Sequence, residues 1–419
     1  MYIDSKQLSG ICSCGREHIM ITEFCVIEQG CMARLPQYLA QVGLGGVSVS
    51  IYDENTYYAK GLTRPAADYE IILPADGLHA DDHGVELLTE RLPAHCDFLI
   101  AVGSGTVHDL TRYCAYTRGI PFVSCPTAAS VDGFCAPVAA MTWHGFKKTL
   151  TAVPPKLVVA DLDVIMQAPP FLIRSGFGDM IGKFIALADW KIGHLLTGEY
   201  FCDHICSMTM GATNAVLESA EGIRTGTVSA YEKLTYGLLM SGLAMQMIGN
   251  SRPASGAEHH ISHLIEMRPA GLPLASEALH GEKVGVGTLL AAREYHRLRG
   301  IPSLKWEDYP IAQPELINAV FGQDLGRSII TENETDVAAG ITAEAIRTHW
   351  DAICRIIDQI PAADTLLQSY QSLSIKSTLE EIGVSPAQKD ALLDFSPLVR
   401  NRLTLMRIRR AIKKEDNYA

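Results

Sequence analysis

No apolar run in the 419-residue sequence is long enough to cross a bilayer, which takes about 20 residues. The opening Met1-Tyr2-Ile3-Asp4-Ser5-Lys6 has no signal-peptide apolar core, so the expectation is a cytoplasmic protein. Clustered cations are scarce. The formal charge is −12, and a footprint for nucleic acid needs concentrated lysine and arginine, which argues against that partner. The one dense basic stretch is Arg400–Lys414, where Leu403, Leu405, Met406 and Ile408 alternate with arginines; it reads as a partly exposed terminal helix. A disulfide framework is missing too, because the eleven cysteines are odd in number and scattered, as in a reduced compartment. Cys12-Ser13-Cys14-Gly15 with His18, followed by Cys25 and Cys31, raises the question of a zinc ribbon. Its CxC spacing is tighter than CxxC and no second pair stands at knuckle spacing, so an N-terminal hairpin is expected instead.

What is present is an ordinary globular composition, 47% hydrophobic and 20% charged, in a chain long enough for two domains with a core each. Strand-like runs occur at 46–53, 70–73, 97–102, 121–125 and 157–160, separated by stretches of helical length such as 82–91 and 106–118. This alternation predicts βα units and a parallel sheet. Ala168-Pro169-Pro170 breaks the pattern, and beyond it the segments 174–196, 202–221, 229–248, 282–298 and the region from Thr342 all read as helices. The expected architecture is an α/β domain over 1–169 and an all-α domain over 170–419.

Four stretches carry candidate chemistry. Strand 97–102 runs into Gly103-Ser104-Gly105-Thr106-Val107-His108-Asp109, where glycines and a helix N-terminus suit a pyrophosphate. It is not GxGxxG, since His108 occupies the third glycine position, and close strand–helix packing accounts for it as well. Pro126-Thr127-Ala128-Ala129-Ser130-Val131-Asp132-Gly133 follows the next strand, at the end where open α/β sheets bind ligands. Asp179 heads a long helix among small residues, as a first-turn carboxylate or as a metal ligand. In Arg252-Pro253-Ala254-Ser255-Gly256-Ala257-Glu258-His259-His260-Ile261-Ser262-His263, His259 and His263 share one helical face, while His260 points about 100° away and is packed or exposed. His280 follows His259 by 21 residues, which suits a return on a neighbouring helix. Two imidazoles and a carboxylate leave open positions on a divalent cation.

In order and spacing, these four stretches resemble the sn-glycerol-1-phosphate dehydrogenases, the bacterial AraM-like branch more than the archaeal one. They belong to the superfamily of glycerol dehydrogenase, iron-containing alcohol dehydrogenase and dehydroquinate synthase. The phrases TAxSxDG and RPxSGxEH…HGE carry the likeness, strongest from about Phe24 to His280. The resemblance implies a dehydroquinate synthase-like fold, a Rossmann-like domain followed by a helical one. It implies NAD(P)-linked interconversion of dihydroxyacetone phosphate and sn-glycerol 1-phosphate with one divalent metal (Zn, Ni or Fe), and a homo-oligomer, most simply a dimer. Asp179, His259 and His280 match the metal ligands. Asp132, Asp179 and His263 match substrate-binding positions, with Asp179 and His263 at the chemistry. Gly103, Gly105, Thr106, Val107, His108 and Asp109 match cofactor-contacting segments, as do Thr127, Ala128, Ala129 and Ser130, and Asp53 falls where the adenine ribose is held. A carboxylate there favours NAD over NADP. The substrate phosphate needs cations, for which Arg252 is the leading candidate beside Lys183 and the Lys147-Lys148 pair. One departure is Ala136, where the family usually carries serine, a lost hydroxyl contact worth about 0.5–1.5 kcal/mol. A glycerol dehydrogenase-like polyol dehydrogenase, a dehydroquinate synthase-like cyclase and a non-enzymatic metabolite-binding protein are the competing expectations.

Overall fold

The computed structural model describes residues 1–143 and 146–413; Lys414, the end of the basic stretch, lies outside them. Contacts group the chain into two units, Met1–Met180 with Ser207–Ser251, and Ile181–Cys206 with Arg252–Ala419. The units therefore do not part at a single point such as residue 169: the helical segment Ser207–Ser251 belongs with the sheet.

Among the described residues eleven strands occur, all in the first unit: β1 (Tyr2–Asp4), β2 (Gly10–Ile11), β3 (Glu17–His18), β4 (Phe24–Glu28), β5 (Ser48–Asp53), β6 (Tyr69–Leu73), β7 (Phe98–Gly103), β8 (Phe122–Pro126), β9 (Val138–Trp143), β10 (Phe146–Thr151) and β11 (Leu157–Asp161). Seven form one sheet in the order β1-β4-β11-β8-β7-β5-β6, parallel throughout except for β1 against β4. Every residue of β7 is buried, as a strand covered on both faces must be. Its side chains alternate between two cores: Phe98, Ile100 and Val102 join Phe24, Val26, Val123 and Val159, whereas Leu99 and Ala101 join Val49, Ile51, Ile71 and Leu110. From β5 the chain moves outward to β6 and returns to β7 on the other side of β5, so the winding reverses between β5 and β7. That switch point is where open sheets leave a crevice beyond their carboxyl ends. The sequence pattern did not single out β4 or the β9–β10 hairpin, which carries Lys147 and Lys148 opposite Thr142 and Met141.

Beyond β11 the described residues contain only an isolated bridge, Trp306 to Ile412, and the rest is helical as expected. The expected helix 174–196 is two, Pro170–Ile181 and Lys183–Thr197, joined through Gly182. In the second unit the helices Ala257–Met267 and His280–Gly300 pack closely. A Cβ on Gly287 would stand 2.6 Å from the Glu258 carbonyl oxygen, so no residue larger than glycine permits this approach. Asp189 is a hub. It accepts from Ala257 N, Leu405 N and the Tyr295 hydroxyl, each at 2.8 Å, and burial, reinforced by Glu258, pushes its carboxyl up to about 7. The C-terminal basic stretch is not a partly exposed helix. Arg407 is fully buried against Asp336 (3.2 Å) and Arg409 against Glu294 (2.6 Å), because the alternating apolar residues draw the arginines inward to acids that pair them.

Candidate active site

In the first unit, Asp53 and Gly103 end the two strands that flank the switch point, with Ile51 paired to Ala101 two residues before each end. Asp53 is fixed by a capping box: its Oδ1 accepts from Thr56 N at 2.7 Å, and its own N–H donates to Thr56 Oγ1 at 3.0 Å. Gly103 serves packing, since a Cβ there would stand 2.7 Å from the Val107 side chain. The helix Gly105–Arg118 begins at Ser104 without a side-chain cap, so the N–H groups of Gly105, Thr106 and Val107 are not closed off by a capping hydroxyl.

His108 and Asp109, expected as cofactor contacts, both have partners within the protein. The His108 ring is buried, with Nδ1 2.9 Å from Ser104 O and Nε2 2.8 Å from Ser124 Oγ, and burial pushes its pKa down to about 3. It is a neutral packing group. Asp109 pairs with buried Arg112 at 3.2 Å, and Arg112 donates to the carbonyls of Gly133, Phe134 and Val138. Arg112, which no motif pointed to, thereby holds the loop carrying Asp132. Thr127 N donates to Gly103 O at 3.0 Å, and Thr127, Ala128, Ala129 and Ser130 are all buried.

Asp132 and Asp179 meet within this unit. The backbone N–H of Asp132 donates to Asp179 Oδ2 at 3.0 Å, and Ser241 Oγ, not anticipated from sequence, donates to Asp132 Oδ2 at 2.8 Å. A Cβ on Gly176 would lie 2.0 Å from Ala129 O, so that glycine lets the Asp179 helix approach the Thr127–Ser130 loop. Ala136 is buried, with its N–H on Gly133 O at 3.0 Å. Its methyl group is packed inside, where a serine hydroxyl would face protein.

The histidine cluster lies in the second unit. Ring centroids of His259 and His280 are 5.3 Å apart, His263 is 6.0 Å from each, and one ring nitrogen of His259 lies within 4.8 Å of one of His280. Each of the two rings is backed by a carboxylate that sequence reading missed. His259 Nδ1 is 2.7 Å from Glu258 Oε1, and His280 Nδ1 is 2.9 Å from Glu266 Oε1. A carboxylate only accepts, so Nδ1 carries the proton and Nε2 keeps its lone pair in both rings. Glu258 also accepts from Gly256 N at 2.8 Å, and Glu266 is 3.2 Å from Lys283 Nζ. His263 Nδ1 has no hydrogen-bond partner among the described residues, and burial, then the charge of Arg400, hold its pKa well below the usual value. His260 is fully buried.

Arg252 is built into the scaffold. Its Nε reaches Glu199 at 2.7 Å, and its Nη2 donates to Asp189 O and Leu403 O at 2.9 and 2.7 Å, at 5% exposure. Arg252, expected to meet a substrate phosphate, is thus engaged by the fold through Nε and Nη2. Lys183 is fully buried, and Lys147 and Lys148 lie on the β9–β10 hairpin. Arg400, passed over in the basic stretch, is the cation whose field reaches His263.

Residues 26–169 match the family model of iron-containing alcohol dehydrogenase. Among solved structures, an iron-containing alcohol dehydrogenase from Corynebacterium glutamicum superposes with a TM-score of 0.57 at 16% identity, over 96% of this chain and 98% of that one. Glycerol dehydrogenase from Schizosaccharomyces pombe gives 0.51 at 18% identity, over 86% and 91%. These share the fold. Closer in sequence are glycerol-1-phosphate dehydrogenases [NAD(P)+]: 36% identity with that of Geobacillus stearothermophilus over 94% of both chains, and 43% with that of Bacillus subtilis over 60% and 66%. The Halalkalibacterium halodurans enzyme of the same name is 33% identical over 96% of both chains, and with a likeness of that extent the chain belongs to the glycerol-1-phosphate dehydrogenase family.

Proposed function

We propose that this protein interconverts dihydroxyacetone phosphate and sn-glycerol 1-phosphate with NAD(P) and one divalent metal. The relatives' shared name supports the reaction. The observation that carries the metal is the pair of imidazoles, each backed by a carboxylate on Nδ1 and presenting Nε2, the arrangement that metal-binding histidines need. In this reading His259, His280 and Asp179 hold the cation, a donor set that suits Zn²⁺, Ni²⁺ or Fe²⁺. Asp53 and the first turn of the helix Gly105–Arg118 hold the dinucleotide at the switch point, and the buried Thr127–Ser130 loop lies against the same crevice.

A bound cation supplies Lewis-acid polarisation of the substrate carbonyl, and the dinucleotide supplies the hydride. The chain's own groups do the positioning. Asp132, held by Ser241 and by the loop that Arg112 ties down, orients the substrate hydroxyls. His263 offers its unpartnered Nδ1 to a substrate hydroxyl or to the proton that must reach the new alkoxide. Arg400 takes the phosphate role that Arg252, tied to Glu199, does not fill. Among the described residues no helix is long and apolar enough to cross a membrane. The family resemblance favours a dimer working in the cytoplasm, and light scattering of the purified chain reads the oligomeric state. The reaction itself is tested by NAD(P)H oxidation with dihydroxyacetone phosphate, with dihydroxyacetone and without substrate, with Zn²⁺, Ni²⁺ and Fe²⁺ compared. Turnover is expected for the phosphate ester alone; equal rates with dihydroxyacetone would make this a polyol dehydrogenase.

A further inference from the structure

The hairpin near the N-terminus has the form expected from sequence, with Gly10 opposite His18 and Ile11 opposite Glu17. Its tip is tight: Gly15 N donates to Cys12 O at 3.0 Å, and Cys12 N to Arg16 O at 2.9 Å. This turn gathers Cys12, Cys14 and His18 so that one ligand atom of each lies within 4.8 Å of the others. Cys14 Sγ is 3.6 Å from His18 Nε2. Around a tetrahedral zinc, with bonds of about 2.3 Å to sulfur and about 2.0–2.1 Å to nitrogen, that separation comes to about 3.5–3.6 Å.

The histidine is oriented as well as near. His18 is 3% exposed, and its Nδ1 sits 2.8 Å from the carbonyl of Met247. A carbonyl only accepts, so the proton is on Nδ1 and Nε2 turns its lone pair toward the thiols. Met247 belongs to the helix Val228–Ile248, and the neighbouring Gln246 receives Ile21 N and Thr22 N at 3.3 Å each. The hairpin is thus anchored at the end of that helix on the side where its imidazole is fixed. Ordinary core cysteines in this unit are different: Cys96 and Cys114 sit in one apolar core, Cys31 and Cys125 in the other.

We infer that Cys12, Cys14 and His18 form a second metal site, selective for a soft divalent cation and filled by zinc. Two thiolates and an imidazole favour zinc over magnesium or calcium, and binding releases the thiol protons. The site shares no residue with the one proposed for catalysis. It acts as a staple that closes the hairpin tip on itself, while the Nδ1–H of His18 ties that closed hairpin to Met247 O at the end of the helix Val228–Ile248. The inference stands whether or not the proposed dehydrogenase reaction is right.

The test uses the full-length reduced protein. Alkylation of each cysteine is mapped by peptide mass after incubation with zinc or with a chelator. Cys12 and Cys14 should be protected by zinc and lose that protection in chelator, and any further cysteine protected in step closes the fourth position. Cobalt is then titrated into wild type, His259→Ala and the Cys12→Ser/Cys14→Ser double variant. A thiolate-to-cobalt charge-transfer band is expected in the first two and absent from the third, and elemental analysis of the zinc-loaded proteins should show one equivalent fewer in each variant than in wild type. Equal alkylation of Cys12 and Cys14 with zinc and with chelator, and no thiolate band in wild type, would leave only a thiol–imidazole hydrogen bond and overturn the site. The alkylation arm needs no substitution, so a double variant that fails to fold does not spare the inference.

Discussion

Replacing Glu258 with glutamine isolates what the carboxylate does for the adjacent histidine. Glu258 Oε1 accepts both Gly256 N and His259 Nδ1, and a glutamine carbonyl can accept the same two bonds. What disappears is the negative charge that raises the basicity of the imidazole and favours its ionised partner, the cation. Loss of such backing lowers metal affinity by about 10–100-fold, or about 1.4–2.7 kcal/mol. The fold should not suffer. Glu258 Oε2 and Asp189 Oδ2 lie 2.9 and 2.7 Å from the point where a Cβ on Gly256 would stand, so the two buried carboxylates face each other across that glycine. An amide in place of Oε2 removes like-charge repulsion and offers a donor to Asp189, so the variant should melt at or above the wild-type temperature. The assay is competition of the apoprotein with a chromophoric chelator for Zn²⁺, run beside Glu266→Gln, which does the same to His280. Weakened binding in both variants, with Glu258→Gln melting at or above the wild-type temperature, is the expected result. Wild-type affinity in both would show that the two histidines are paired with carboxylates for structure alone, and would remove the main support for a cation there.

Three further outcomes follow from the same geometry. Arg400→Ala should raise KM for dihydroxyacetone phosphate far more than for dihydroxyacetone, whereas Arg252→Ala, which strands Glu199 and two carbonyls, should chiefly lower Tm; the reverse pattern in steady-state kinetics and melting would return the phosphate to Arg252. Asp53→Asn keeps the cap but removes the charge, so the ratio of kcat/KM for NADP to that for NAD should rise; an unchanged ratio means Asp53 does not discriminate the cofactors. Burial depresses the His108 pKa to about 3 in the folded state, so its share of stability is complete above the unfolded value of about 6.5 and is lost as pH falls from there toward 3. His108→Gln should therefore flatten the fall of unfolding free energy between pH 6.5 and 4, and an unaltered slope in denaturant titrations would refute a neutral buried ring.

The sheet was legible because its inner strands are largely apolar, β7 and β11 being buried at every position, and five of the seven strands announce themselves as apolar runs. The pattern was silent about β9 and β10, where Lys147, Lys148 and Thr149 interrupt the apolar residues on a hairpin that is half-exposed. Helix content was legible but helix breaks were not, since Gly182 sits in ordinary helical geometry and costs the pattern nothing. The same blindness explains the basic C-terminal stretch. Alternating arginine and leucine reads as a surface helix until Asp336, Glu294 and Asp394 arrive from distant parts of the chain to pair the arginines inside.

At the site, what sequence could supply was the set of residues whose spacing is local. His259 and His263 are one turn apart, so a shared face follows from helix geometry alone. Glu266, at seven residues from His259, lies on that same face, and a heptad count would have flagged it as the third polar group of the stripe. Its partnership with His280 still depends on two helices closing to the distance that Gly287 permits. Arg252 shows the opposite case. Its position at the head of a motif suggested a ligand contact, but a guanidinium satisfies its donors wherever acceptors converge, and here they come from Glu199, Asp189 and Leu403, all remote in sequence. Local spacing therefore names candidates for chemistry, while the partners that orient or neutralise them are set by packing. A motif residue whose polar atoms the fold largely engages, as Glu199 engages Arg252, is the weaker candidate for chemistry, and one with a buried unpartnered nitrogen, as His263 has at Nδ1, the stronger.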